Sequence, residues 1–244
     1  MKAKTPVGLT LAVAAVSTIY LAVIQTGRCD SKSDTAPTSA APTYTLSTTD
    51  AKRLSFYEVP LVCPAASQIG CGSASKPLLL GLESDGVVSE AWLNRAGTIM
   101  AVVWSAQSTP GQRSKALKSV LKQAEIEAKE LTGKARRQAL NAFAQKTGWY
   151  RGAEVDRLSE EEAGVIATRL VRRIRAKITV SDEKAKIIEQ GFTDVLKQKL
   201  TGKSTKDDAQ AAMVNICRQN LSEKDVAILQ EAFAAGVCPL KDEK

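Results

Sequence analysis

Cys71-Gly-Ser-Ala-Ser-Lys-Pro-Leu-Leu-Leu-Gly-Leu-Glu83, followed by Gly86-Val-Val-Ser-Glu-Ala-Trp-Leu-Asn-Arg-Ala-Gly-Thr-Ile-Met-Ala-Val-Val-Trp104, decides the fold. Leu78, Leu79 and Leu82 recur at helical spacing and form one apolar face. Pro77 suits a helix that begins near Ser73 or Ser75, which places the proline in the first turn. Asp85-Gly86 ends the helix. Val88 to Asn94 then alternates, with Val88, Ala91 and Leu93 turned inward. Arg95-Ala96-Gly97 is a tight turn, and Thr98 to Trp104 is strongly β-prone through Ile99, Val102, Val103 and Trp104.

Upstream, Arg53 to Val62 carries Leu54, Phe56, Val59 and Leu61 and reads as a strand, closed by Pro60 and Pro64. Downstream, Pro110-Gly111 opens a unit whose Ala116, Leu117, Val120, Leu121 and Ala124 share a helical face. Glu125 to Leu131 alternates as a closing edge strand ended by Gly133; a continuous helix through Leu140 competes with it, because Glu, Ala and Lys favour helix. The order strand, helix, strand, strand, helix, strand is the ferredoxin-like βαββαβ pattern. The fold class is therefore α+β: an N-terminal membrane anchor, a ferredoxin-like domain over 51–133, and an all-α domain over 134–244.

That last segment reads as helical throughout. Ala139, Leu140 and Phe143 mark one helix, ended near Gly148. Ser159 to Glu162 is a capping box, after which Ile166, Leu170, Ile174 and Ile178 recur every four residues. Ser181 caps a helix with Ile188, Phe192, Val195 and Leu196 inward. Ser222 precedes another, with Val226, Leu229 and Phe233, stopped by Gly236. Arg169, Arg172, Arg173, Arg175 and Lys177 make a basic run, read as a solvated helix face in preference to a lipid or acidic-partner contact.

The chain begins Met-Lys-Ala-Lys, then carries 18 strongly apolar residues from Val7 to Ile24, enough helix to cross a bilayer. Lys2 and Lys4 keep the N-terminus cytoplasmic and export the rest. Residues 1–28 are thus a signal anchor or signal peptide at the inner membrane, and 29–50, rich in Ser, Thr, Ala and Pro, a flexible linker. Cys29 is a lipidation candidate, although Arg28 departs from the small residue a lipoprotein signal wants there; an uncleaved anchor is the preferred reading. The remaining cysteines, Cys63, Cys71, Cys217 and Cys238, are disulfide candidates in an oxidising compartment, with Cys63–Cys71 and Cys217–Cys238 favoured by proximity. The chain has no histidine, which removes Ser-His-Asp and Cys-His catalysis and His-ligated zinc. The net charge of +8 favours anionic partners. Export and the lack of aromatics within the basic run argue against nucleic acid.

Residues 53–133 resemble the heavy-metal-associated domain of metallochaperones. Cys71 falls on the first cysteine of that family's Cys-x-x-Cys pair, Leu78 and Leu82 on its first helix, Gly86-Val87 on the start of its next strand, and Leu93 to Val103 on its strand-turn-strand. Ala74 stands where the family has its second cysteine. The resemblance covers about a third of the chain and implies capture of a soft ion such as Cu(I) or Hg(II), with Cys63, eight residues upstream, in place of the missing ligand. The helix N-terminus favours a thiolate independently of the family. Two functional expectations follow. One is a membrane-tethered extracytoplasmic protein that binds a soft metal through Cys71 and Cys63 without turnover. The other is a structural or interaction protein with an envelope partner, in which a Cys63–Cys71 disulfide pins a degenerate scaffold. Beside these two stands thiol–disulfide exchange at a reactive Cys71.

Overall fold

The computed structural model describes residues 51–226, 229 and 236–240; the expected anchor, linker, Cys29 and Phe233 lie outside them. Among the described residues no helix is long and apolar enough to cross a membrane. The chain is mixed α+β, built on a five-stranded antiparallel sheet. Its elements are β1 (Leu54–Glu58), β2 (Val62–Cys63), β3 (Ala66–Gly70), α1 (Gly72–Glu83), β4 (Val88–Asn94), β5 (Ile99–Trp104), α2 (Pro110–Gln123), β6 (Lys129–Glu130), α3 (Gly133–Ala144), β7 (Trp149–Arg151), α4 (Asp156–Lys177), α5 (Asp182–Leu200) and α6 (Lys206–Asn220). The sheet order is β6-β1-β5-β4-β7, and a separate hairpin pairs β2 with β3.

The central strand β5 explains the layering. Met100, Val102 and Trp104 join the larger core with Leu78, Leu79 and Leu82 of α1, whereas Ile99, Ala101 and Val103 face the opposite side with Phe56, Phe143 and Trp149. A strand apolar on both faces needs a cover on each. α1 lies against β4, and α4 runs against α1 and β3. The other face is closed by α3, which brings Ala139 and Phe143. In β4 the inward set Val88, Ala91, Leu93 breaks strict alternation, because the register shifts between Val88 and Glu90.

Several expectations are corrected. α1 starts at Gly72, so Pro77 is its sixth residue and sits in the second turn. The edge strand shrinks to Lys129–Glu130, and Gly133, at φ +53°, opens α3 instead of simply ending a strand. The segment after 134 is not helical throughout: Trp149–Arg151 adds to the sheet beside β4. The boundary expected at 133 therefore falls inside the sheet layer. α4 begins at Asp156, three residues ahead of the expected cap. Val155 and Leu158 are fully buried, and their burial draws the preceding turn into the helix, so Ser159 and Glu162 become interior residues.

The helical part continues as α4 against α5 and α5 against α6. Ile166, Leu170, Ile174, Ile188, Phe192 and Leu196 are buried as the spacing requires, while Val195 is half-buried. Ser181 Oγ accepts from Lys184 N, as its sequence position suggests. The basic run of α4 is not a uniformly solvated face. Arg173 is buried and donates to the Gly236 carbonyl and, at 2.6 Å, to that of Cys238; Arg169 donates to Val237 O at 2.6 Å. These guanidiniums hold the 236–238 backbone against α4.

Candidate functional site

The hairpin β2–β3 carries Cys63 and delivers Cys71 to the mouth of α1. Val62 pairs with Gly70, and Cys71 N donates to Leu61 O at 2.7 Å. The hairpin sits on the Arg95–Gly97 turn: Gly70 N donates to Arg95 O at 2.7 Å and Leu61 N to Gly97 O at 3.0 Å. Gly97 has φ +72°, which a side chain rarely adopts.

Cys71 is the N-cap of α1, in extended conformation, and its side chain makes no capping bond. Its carbonyl accepts from Ser75 N at 3.0 Å and from Ser75 Oγ at 2.5 Å. Its sulfur lies 3.4 Å from Ser73 Oγ and is partly exposed. The first turn of α1 packs on α4 at Gly72, where a Cβ would strike Ser159 Oγ and lie 2.6 Å from Val155 O. Lys76 Nζ reaches Asp156 Oδ2 of the same helix at 2.6 Å.

Cys63 differs sharply from Cys71. It is 1% exposed, within the main core. Burial pushes its thiol up to about 12, and the Glu162 charge and the S–H bond toward that carboxylate add to the rise; charge on Cys71 adds further. Glu162, 5% exposed, is raised by its own burial, partly offset by the Cys63 donor and by Lys199. Among the described residues its Oε2 has no hydrogen-bond partner, and neither does Ser159 Oγ. The two sulfurs thus share a neighbourhood, but only one of them faces solvent.

Cys63, Cys71 and Cys217 are free thiols, so neither expected pair is bonded. Cys217 is fully buried in the helical core, and burial alone lifts it to about 12. Among the described residues no group of three or more Cys, Asp or Glu is arranged to hold a metal ion. Ala74, three residues after Cys71, is exposed. Glu162 and Ser159 escaped the sequence reading because Ser-x-x-Glu before an apolar run is also a helix start; the upstream pair Val155 and Leu158, which extends the same stripe, was the available signal.

Glu162 makes a pH prediction. The folded protein holds its proton more tightly than the unfolded chain does, so stability falls as pH rises from the ordinary value of 4.5 through the raised folded value. Glu162→Gln removes that titration. The denaturant midpoint of the variant relative to wild type should climb across this window and then level off. Parallel midpoint curves throughout would show that Glu162 is not buried as described.

Compared with protein-family models, curated proteins and solved structures, the chain has no match.

Proposed function

We propose that the chain is a non-enzymatic, membrane-tethered protein of the extracytoplasmic space, in which a ferredoxin-like layer is a scaffold joined to a helical array and engages an envelope partner. The chain order β1-α1-β4-β5-α2-β6 with the sheet order β6-β1-β5-β4 supports the ferredoxin-like part. The apolar run Val7–Ile24 behind Lys2 and Lys4 supports the tether.

The observation that carries the scaffold reading is the state of Cys63. A two-thiolate site must ionise it. A thiol at about 12, against the usual 9.0, costs about 4 kcal/mol more to ionise at neutral pH, taking 1.36 kcal/mol per pKa unit. A second thiolate ligand at this position must therefore first lose a tightly held proton. The free state of the sulfurs removes the pinning disulfide from this reading; packing of the hairpin on the 95–97 turn takes its place.

A second reading, capture of Cu(I) or Hg(II), is favoured by the shared neighbourhood of Cys71 and Cys63. Cys71 would bind first, and the Cys63 proton would pass to the Glu162 carboxylate. Titrating the reduced full chain with Cu(I) against a chromophoric Cu(I) chelator separates the two. The scaffold reading expects the wild type and a Cys63→Ser, Cys71→Ser double variant to give the same curve. One equivalent of copper retained by the wild type and surrendered by the double variant would establish the ion carrier instead.

A further inference from the structure

The positive charge of the chain is concentrated in the sheet layer. Residues 51–151 hold fourteen Lys and Arg against seven Asp and Glu, whereas residues 152–244 hold sixteen against sixteen. Within the sheet layer α2 is the extreme case: Ser105 to Ala124 contains four basic residues and no acidic one. Arg113 is engaged internally, donating through Nε to Ser108 Oγ at 2.9 Å and lying 5.7 Å from the Trp104 ring centroid. Lys115, Lys118 and Lys122 are exposed and follow one another at i, i+3 and i+7. That spacing places them on one face, opposite Ala116, Leu117, Val120 and Leu121, which pack inward. Among the described residues no carboxylate forms an ion pair with any of the three.

We propose that the Lys115–Lys118–Lys122 face of α2 docks on an anionic membrane surface and sets the orientation of the sheet layer on the bilayer. The inference rests on the tether reading. The magnitudes select this occupant. Each lysine near an anionic surface contributes about fivefold, so three give roughly a hundredfold. That is too little to recruit a free partner from dilute solution. It is enough to orient a domain already held near the surface, since tethering makes docking intramolecular. The 21 residues from Asp30 to Asp50 keep the bilayer within at most about 75 Å of the sheet layer at full extension. The face carries no aromatic side chain on which nucleobases could stack.

The test uses the full chain reconstituted in phosphatidylcholine vesicles with and without phosphatidylglycerol. Acetylation of each lysine is followed by mass spectrometry, with Lys184 and Lys186 of α5, both exposed, as references. Several-fold protection of Lys115, Lys118 and Lys122 is expected only with phosphatidylglycerol, and high salt should abolish it. Equal rates in the two lipids overturn the proposal. So does protection by polyglutamate or by DNA without protection by phosphatidylglycerol. Flotation of the same samples with neutral vesicles in high salt reads the tether separately, so its failure is distinguishable from failure of docking.

Discussion

Replacing Gly97 with alanine is expected to cost the fold about 3 kcal/mol or more, combining backbone strain with overpacking. The residue has φ +72°. An added methyl would strike the Leu61 carbonyl oxygen and lie 2.6 Å from the Gly70 Cα. Both obstacles are backbone, so neither yields as a flexible side chain would. The penalty falls on the contact that seats the β2–β3 hairpin and with it the mouth of α1. Gly111→Ala is the control: nothing lies within 4 Å of its added Cβ, and alanine suits the first turn of α2. Urea midpoints at unchanged slope should drop for Gly97→Ala and hold or rise for Gly111→Ala. Equal midpoints for the two variants would mean the hairpin does not rest on this turn.

Phe143→Ala should be of comparable severity, about 3–5 kcal/mol, as befits deletion of a buried aromatic ring. Phe143 meets Trp149 edge-on at 5.1 Å, Trp92 at 5.7 Å and Phe56 at 5.8 Å between centroids. Lys146 closes the cluster, its Nζ 3.7 Å from the Phe143 centroid and 4.1 Å from that of Trp92. Its ammonium is lowered by desolvation, which Glu90 partly offsets. Because β1, β4, β7 and α3 all contribute, the loss should be felt by the sheet itself. Hydrogen exchange at Phe56 and Ala101 should accelerate along with that of α3. If α3 exchange rises while β1 and β5 stay protected, the helix is not part of the sheet layer.

The elements of the first half could be read from residues because their signals are local. Leu78, Leu79 and Leu82 mark α1, the turn at Arg95-Ala96-Gly97 joins β4 to β5, and Ala116, Leu117, Val120 and Leu121 mark the inner face of α2. What escaped was non-local. Ile99–Trp104 has no polar residue, a sign that both faces of β5 are covered, but nothing nearby says that α3 is the second cover. Trp149–Arg151 is too short to announce a strand until β4 offers its edge. Arg169 and Arg173 look like a solvated face until the carbonyls of 236–238, more than sixty residues away, arrive to receive them. The candidate site failed in sequence for the same reason. Cys63 and Cys71 are close in the chain and equivalent as letters, but the core contributed by α4 buries the first and leaves the second at a helix mouth.

Differential alkylation of the native, reduced chain with iodoacetamide tests that distinction most directly, read cysteine by cysteine. Cys71 should label in the folded protein, while Cys63 and Cys217 should label only at the rate of global unfolding and together with each other. Native-state labelling of Cys63 at a rate close to that of Cys71 would contradict the account and restore both sulfurs as available ligands.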